Sequence, residues 1–233
     1  MSDQNTERPE DMAAFFDARA AGYDDHMRNN IFPGPAYAGF YRAMSSPIPP
    51  TGEPLPILDL GCGTGLEIDP MLQRVPRARI TGVDLSRNML DQLRTRYAAH
   101  MGQITLVADS YLTVPLGTGA YDHVLSAMAN HHLLHEAKRA LYRRIRAALK
   151  PGGTYVEGDS VIVPEMQDQL LAEYHAEIAR VPQSRDGQVH IDIPFTLETQ
   201  ESLLLEAGFR DFRLVWHRET GVGWNMAVYV VTA

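Results

Sequence analysis

Pro56-Ile57-Leu58-Asp59-Leu60-Gly61-Cys62-Gly63-Thr64-Gly65 is the stretch that decides how this chain folds. An apolar strand runs into an acidic residue, and glycines then stand at every second position. A helix-like segment begins after Gly65. Glycine has no β-carbon and tolerates positive φ, so a bound molecule can come close to the main chain here. The helix that follows turns its free N–H groups and positive dipole end toward the same spot. The pattern describes a cradle for a nucleotide-like ligand. A dinucleotide loop has the spacing G-x-G-x-x-G. Leu66 stands at its third-glycine position, so this loop follows G-x-G-x-G instead.

Outward from the loop, strands and helices alternate. Residues 78–86 read as a second strand ending at Asp84. An acidic side chain at this point of a βαβ unit accepts from ribose hydroxyls and repels a 2′-phosphate. Residues 103–108 run into Asp109, Ser110 and Tyr111. Residues 121–126 lead into Ala127 and then His131 and His132, and residues 154–159 form a fifth strand. Alternation of this kind implies a parallel sheet covered on both faces, with ligands beyond the carboxyl ends of the strands. Asp59, Asp84, Asp109, Ser126 and Ala127 all fall at strand ends and are expected to border one crevice.

The Asp59–Gly65 run, with Leu149-Lys150-Pro151-Gly152-Gly153 after the fourth strand and its helix, resembles the small-molecule branch of the class I S-adenosylmethionine-dependent methyltransferases. The resemblance covers residues 15–233. It implies an α/β, Rossmann-like, doubly wound sheet of seven strands, the last inserted antiparallel, with a helical N-terminal cap. It implies S-adenosyl-L-methionine as cofactor. Tyr23 would lie near the methionine carboxylate, and Gly61, Cys62, Gly63 and Gly65 would form the cradle above Asp59. Asp84, Leu85 and Met89 would hold the ribose side. Asp109 would accept from the adenine amine and the Ser110 N–H would donate to the ring, with Tyr111, Ser126 and Ala127 beside them. Two other readings stay open. Leu66 and the lack of a Tyr-x-x-x-Lys pair argue against a nicotinamide-dependent oxidoreductase. The other is a protein that binds the cofactor and does chemistry other than methyl transfer, or regulates.

The 233 residues fit one domain with a full core. A formal charge of −8 brings no counterion release from a phosphate backbone, so a nucleic-acid partner is disfavoured. The basic run from Lys138 to Arg146 alternates with Ala137, Leu141, Ile145 and Leu149 and reads as the solvated face of an amphipathic helix. One cysteine, Cys62, excludes a disulfide framework or thiolate cluster within the chain and reads as a small buried filler. No signal pattern or membrane-length apolar run is visible, so a cytoplasmic protein with no membrane partner is expected.

Residues 1–10 read as a disordered lead-in and residues 11–55 as a helical cap and linker, with five prolines between residues 45 and 56. Within the cap, residues 11–27 and 31–44 read as helices, the second with Tyr37, Phe40 and Tyr41 as a core stripe. Residues 56–233 form the main domain, with an inserted cap segment at about 160–195. The insertion holds a helix over residues 163–180 and a polar loop over 181–192. Thr196 then caps a helix that ends at Gly208, and strands at 212–216 and 226–231 close the sheet.

A sulfonium methyl group is already activated, so alignment in a dry pocket supplies much of the catalysis, and a base is needed only where the acceptor must lose a proton. His131 and His132 follow the fourth strand and are the candidate bases, His131 preferred. With His135 they also invite a metal reading. No carboxylate at ligand spacing is evident, so no metal site is expected. Glu157 and Asp159 are expected to face the acceptor, and Trp216, His217 and Trp224 to pack at the rim. The expected partner is a small-molecule acceptor, and the resemblance allows a homodimer.

Overall fold

The structure is a computed structural model that describes residues 10–181 and 187–233. The expected lead-in, Glu10 apart, and part of the polar loop lie outside the described residues. The Asp11 carboxylate accepts from the Ala14 N–H at 3.0 Å and caps α1 (Met12–Arg19). A 3-10 turn (Ala20–Gly22) leads to α2 (Tyr23–His26), and a π-type turn (Met27–Ile31) follows. The next helix, α3 (Pro35–Ser45), starts four residues later than expected, because Pro33, Gly34 at φ +66° and Pro35 cannot carry a helix through.

Beyond the linker come β1 (Pro56–Leu60), α4 (Ile68–Arg74), β2 (Arg79–Asp84), α5 (Arg87–Arg96), β3 (Ile104–Ala108) and β4 (Tyr121–Ala127). They are followed by α6 (His135–Ala148), β5 (Leu149–Ile162), α7 (Pro164–Ile178), α8 (Leu197–Glu206), β6 (Arg210–Arg218) and β7 (Trp224–Thr232). The seven strands form one sheet in the order β3-β2-β1-β4-β5-β7-β6. Neighbours from β3 to β5 pair parallel, while β7 runs antiparallel to both β5 and β6. Strand order reverses between β1 and β4, and a doubly wound sheet opens its ligand crevice there.

Side-chain alternation sends each strand to two cores. Leu58 and Leu60 of β1 and Tyr155 of β5 join Leu141, Tyr142 and Ile145 of α6 and Leu203 of α8. Ile57 and Val156 join Phe40 and Met44 of α3, Met71 of α4 and Leu93 of α5. This period of two fixes register, since a slip of one residue would turn Asp59 into the wrong core. The Leu149–Gly153 turn is drawn into β5: pairing steps from Tyr121 opposite Leu149 to His123 opposite Thr154, with Gly152 at φ +77° in the irregularity. Thr196 caps α8 by accepting from the Thr199 N–H at 3.1 Å, and Gly208 follows that helix at φ +92°. Among the described residues, no helix is long and apolar enough to cross a membrane.

The basic face expected on α6 is solvated at Arg143 and Arg146 but not at Lys138 and Arg144. Lys138 is fully buried with its Nζ 3.9 Å from Glu157 Oε1. The Arg144 guanidinium turns inward and donates to the carbonyl of Tyr111 at 2.7 Å and to that of Val114. Both long stems cross apolar surface to reach a polar group, which a helical wheel does not reveal. Glu157 therefore does not face the crevice. It accepts from the Tyr155 hydroxyl at 2.8 Å and the Tyr142 hydroxyl at 3.2 Å inside the core.

Candidate functional site

A crevice opens at the carboxyl ends of β1, β2 and β4, where a doubly wound sheet takes its ligands. Its floor is the turn after β1. Gly63 sits at φ +47°, and a β-carbon there would meet nothing within 4 Å, so its open face belongs to the crevice. A β-carbon on Gly61 would lie 2.5 Å from the β-carbon of Ala129 on the opposite wall. The Gly63 N–H donates to Asp84 Oδ2 and the Ser86 N–H to Asp84 Oδ1, each at 2.8 Å. Helix α4 does not begin directly after Gly65, as the sequence suggested. The Gly65 N–H turns back to the Cys62 carbonyl at 2.8 Å, so the loop at Gly61 and Gly63, rather than a helix end, edges the crevice.

Of the expected residues, Tyr23, Gly61, Gly63, Asp84, Leu85, Met89, Ser110, Tyr111 and His132 line the crevice. The others lie beside or beneath it. Cys62 is buried and fills the space over Gly82. The Gly65 carbonyl accepts from the Tyr97 hydroxyl at 2.8 Å. Ser126 and Ala127 are buried within β4, and Met128 and Ala129 take the wall in their place. Asp109 is exposed and off the crevice, and its carboxylate takes the Ser110 N–H at 2.7 Å, the group expected to donate to an adenine ring, while Ser110 itself lines the crevice. Trp216 packs edge-on against Phe40, 5.7 Å between ring centres.

Asp59 lies wholly buried under the loop, its carboxyl against that of Glu67. Burial raises Asp59 to about 6 and, with the Asp59 charge beside it, pushes Glu67 well above the usual range. An acid raised in the folded state contributes stability below its unfolded value of 3.8 that is lost as pH climbs through about 6. Asp59→Asn is therefore expected to be more stable than the parent chain at pH 7.5 by about 1–2 kcal/mol. The gain should vanish near pH 4, as urea denaturation at the two pH values will show.

The N-terminal cap roofs the crevice. Met12 and Phe16, four apart on α1, present one helix face to it. Asp17 Oδ1 accepts from the Ser86 hydroxyl at 2.6 Å and the Asn88 N–H at 3.1 Å, which ties α1 to the start of α5. The Thr64 hydroxyl donates to Asp24 at 2.6 Å, and Arg96 pairs with the same carboxylate. The Met12 N–H donates to the Gln188 carbonyl at 2.8 Å, joining the roof to the inserted region. The sequence reading missed Met12 and Phe16, although their four-residue spacing was the available signal.

The histidines stand at one end of the crevice. His131 Nδ1 is 2.5 Å from Asp159 Oδ1, and the Asn130 and Ser160 N–H groups hold that carboxylate at 2.9 and 2.8 Å. His131 Nε2 faces Asp192 Oδ1 at 3.6 Å. Burial opposes a charge on His131, but the two carboxylates outweigh it and raise its pKa. His132 Nδ1 lies 3.1 Å from the same Asp192 oxygen and 3.3 Å from the Ile191 carbonyl. Burial, with His131 beside it, lowers its pKa. Its Nε2 is buried and has no hydrogen-bond partner among the described residues. His135 stands apart, with its ring 4.1 Å from that of Phe195. Asp192 supplies the carboxylate that the sequence did not reveal. Its signal was the alternation His190-Ile191-Asp192-Ile193, in which the isoleucines are buried.

Known proteins resemble this chain in sequence and in fold. Residues 57–153 match the family described as "Methyltransferase domain". The chain is 33% identical over 161 residues to the malonyl-[acyl-carrier protein] O-methyltransferase of Geobacter sulfurreducens, covering 68% of this chain and 57% of that protein. It spans about half the length of the first curated relatives it matches. A carboxy-S-adenosyl-L-methionine synthase of Wolinella succinogenes is 24% identical over 92% of this chain and 91% of its own. The fold is shared with the Haemonchus contortus phosphoethanolamine N-methyltransferase 2 solved with phosphomonomethylethanolamine and S-adenosylhomocysteine (TM-score 0.70, 16% identity, 93% of this chain and 57% of that one).

Proposed function

Because this chain belongs to the class I S-adenosylmethionine-dependent methyltransferases, we propose that it transfers a methyl group to a small-molecule acceptor. The observation that carries this reading is the convergence on one roofed crevice of the bare backbone at Gly61 and Gly63, Asp84 and His132. Bound S-adenosylmethionine supplies an activated methyl group. Asp84 has acceptor positions suited to ribose hydroxyls, and Leu85, Met89 and Ser110 flank the adenine side. Tyr23 and Gly61 border the methionine side. Phe16, Met12 and Leu133 exclude water from the acceptor's end, where alignment and desolvation act on the attacking atom.

His132 is assigned as the base. With its Nδ1–H directed at Asp192 and the Ile191 carbonyl, Nε2 keeps a lone pair for the acceptor's proton. This favours a nucleophile that carries a proton, such as a hydroxyl or amine. His131, favoured by the sequence, is engaged by Asp159 and is assigned as the positioning residue that fixes Asp192. A second reading, chemistry on the sulfonium other than methyl transfer, draws support from the near full-length likeness to the carboxy-S-adenosyl-L-methionine synthase. None of the described crevice residues is Lys or Arg, so a carboxylate co-substrate would find no cation there, and methyl transfer is preferred. Calorimetry with S-adenosylhomocysteine and with NADH tests the cofactor. A screen of metabolite extracts for uptake of labelled methyl then tests the transfer. Saturable S-adenosylhomocysteine binding followed by label in an acceptor is expected, and preference for NADH would overturn the assignment.

A further inference from the structure

The cluster beside the crevice holds more donors than proton transfer needs. Single donor atoms of His131, His132 and Asp192 lie within 4.8 Å of one another. Asp192 Oδ1 is 3.6 Å from His131 Nε2 and 3.1 Å from His132 Nδ1. Ligands at about 2.0–2.1 Å around a tetrahedral ion stand roughly 3.3 Å apart, so both separations suit edges of such a site. His131 Nδ1 is engaged by Asp159 at 2.5 Å, the carboxylate–imidazole arrangement that fixes the tautomer of a metal-bound histidine and aims its other nitrogen at the ion. His131 Nε2 in turn faces a carboxylate oxygen, so the gap between them takes a proton on the ring or, in its place, a metal cation. The two halves are held in place by the main chain: the Ile193 N–H donates to the His131 carbonyl at 2.6 Å. The Asp192 side chain is 43% exposed, which gives an ion a way in, and His190 Nε2, 3.6 Å from Asp192 Oδ1, stands nearby as a further donor.

We propose that His131 Nε2, His132 Nδ1 and Asp192 form a site for one zinc-class ion, whose occupation turns His132 from a proton acceptor into a donor. Two imidazoles and one carboxylate select Zn²⁺ or Co²⁺ over Mg²⁺ or Ca²⁺. An imidazole that coordinates through Nδ1 carries its proton on Nε2, so in the loaded site Nε2 is an N–H where in the free site it holds a lone pair. The effect on His132 rests on the methyl-transfer reading above, whereas the site itself does not.

The test uses the full chain without a tag, stripped with chelator and dialysed against Zn²⁺, with Co²⁺ absorption as a second readout. One ion per chain and an intense four-coordinate cobalt spectrum are expected. Asp192→Asn, a change at a part-exposed residue, should lower affinity at least about 100-fold, and Asp159→Asn about 10–100-fold. His135→Gln, remote from the cluster, should bind as the parent chain does. In the zinc-loaded chain the ¹⁵N spectrum should show His132 Nε2 protonated. Failure to bind one ion, unchanged binding in Asp192→Asn, or an unprotonated Nε2 in the loaded chain would each overturn the proposal. Calorimetry with S-adenosylhomocysteine on the same samples separates the two readings. Cofactor binding without zinc binding leaves the transferase reading standing and this one refuted, and the reverse result does the opposite.

Discussion

Replacing His132 with alanine is expected to slow single-turnover methyl transfer about 10²–10⁴-fold, the usual contribution of a positioned base. S-adenosylhomocysteine affinity should stay unchanged. The reason is geometric: the His132 ring lines the crevice, its Nε2 is unpartnered, and Asp192 and the Ile191 carbonyl hold the opposite nitrogen. The assay uses whichever acceptor the label screen returns. Loss of rate and cofactor affinity in parallel would show that the ring only packs. His131→Gln separates the two histidines. It keeps a donor toward Asp159 but frees Asp192, so turnover should fall less than in His132→Ala and its pH profile should shift. Equal losses with identical profiles would reverse the assignment.

The second large effect is expected at Asp84. Asp84→Ala removes the acceptor of the Gly63 and Ser86 N–H groups and the group proposed to meet the ribose. Affinity for S-adenosylhomocysteine should fall by about 1.5–3 kcal/mol, roughly 10–150-fold, because charge-assisted bonds are lost and donors are left unpaired. Burial raises the Asp84 carboxyl to about 6 against the pull of the same two N–H groups. Ribose hydroxyls favour the ionised form. Cofactor affinity should therefore hold above pH 6 and decline as pH falls through it, with Asp84→Ala lacking the decline. Calorimetry across pH 5 to 8 measures both, and a variant with parental affinity would remove Asp84 from the site.

What the sequence discloses here is local. The glycine spacing, the acid at the tip of β2 and the cap at Thr196 each depend on residues a few positions apart, and backbone sterics and capping give those patterns direct meaning. The cluster around His132 depends on apposition. Asp192 comes from the inserted region and Asp159 from β5, and neither lies at a periodic distance from the histidines. Only the sheet order brings them together. Lys138 shows the same limit from the other side. Its helical position is legible, but burial against Glu157 depends on where β5 lies beneath α6. The roof is intermediate: Met12 and Phe16 share a helix face by spacing alone, while the surface they cover is set by the ties of Asp17 to Ser86 and Asn88.

The central claim is that the loop after β1 and the tip of β2 cradle an adenosyl amino acid under the N-terminal roof. A crystal structure of this chain grown with S-adenosylhomocysteine tests it most directly. The account predicts density with both ribose hydroxyls on Asp84, the adenine beside Ser110 and the sulfur facing His132. Density at another place, or an empty crevice at saturating ligand, would contradict it.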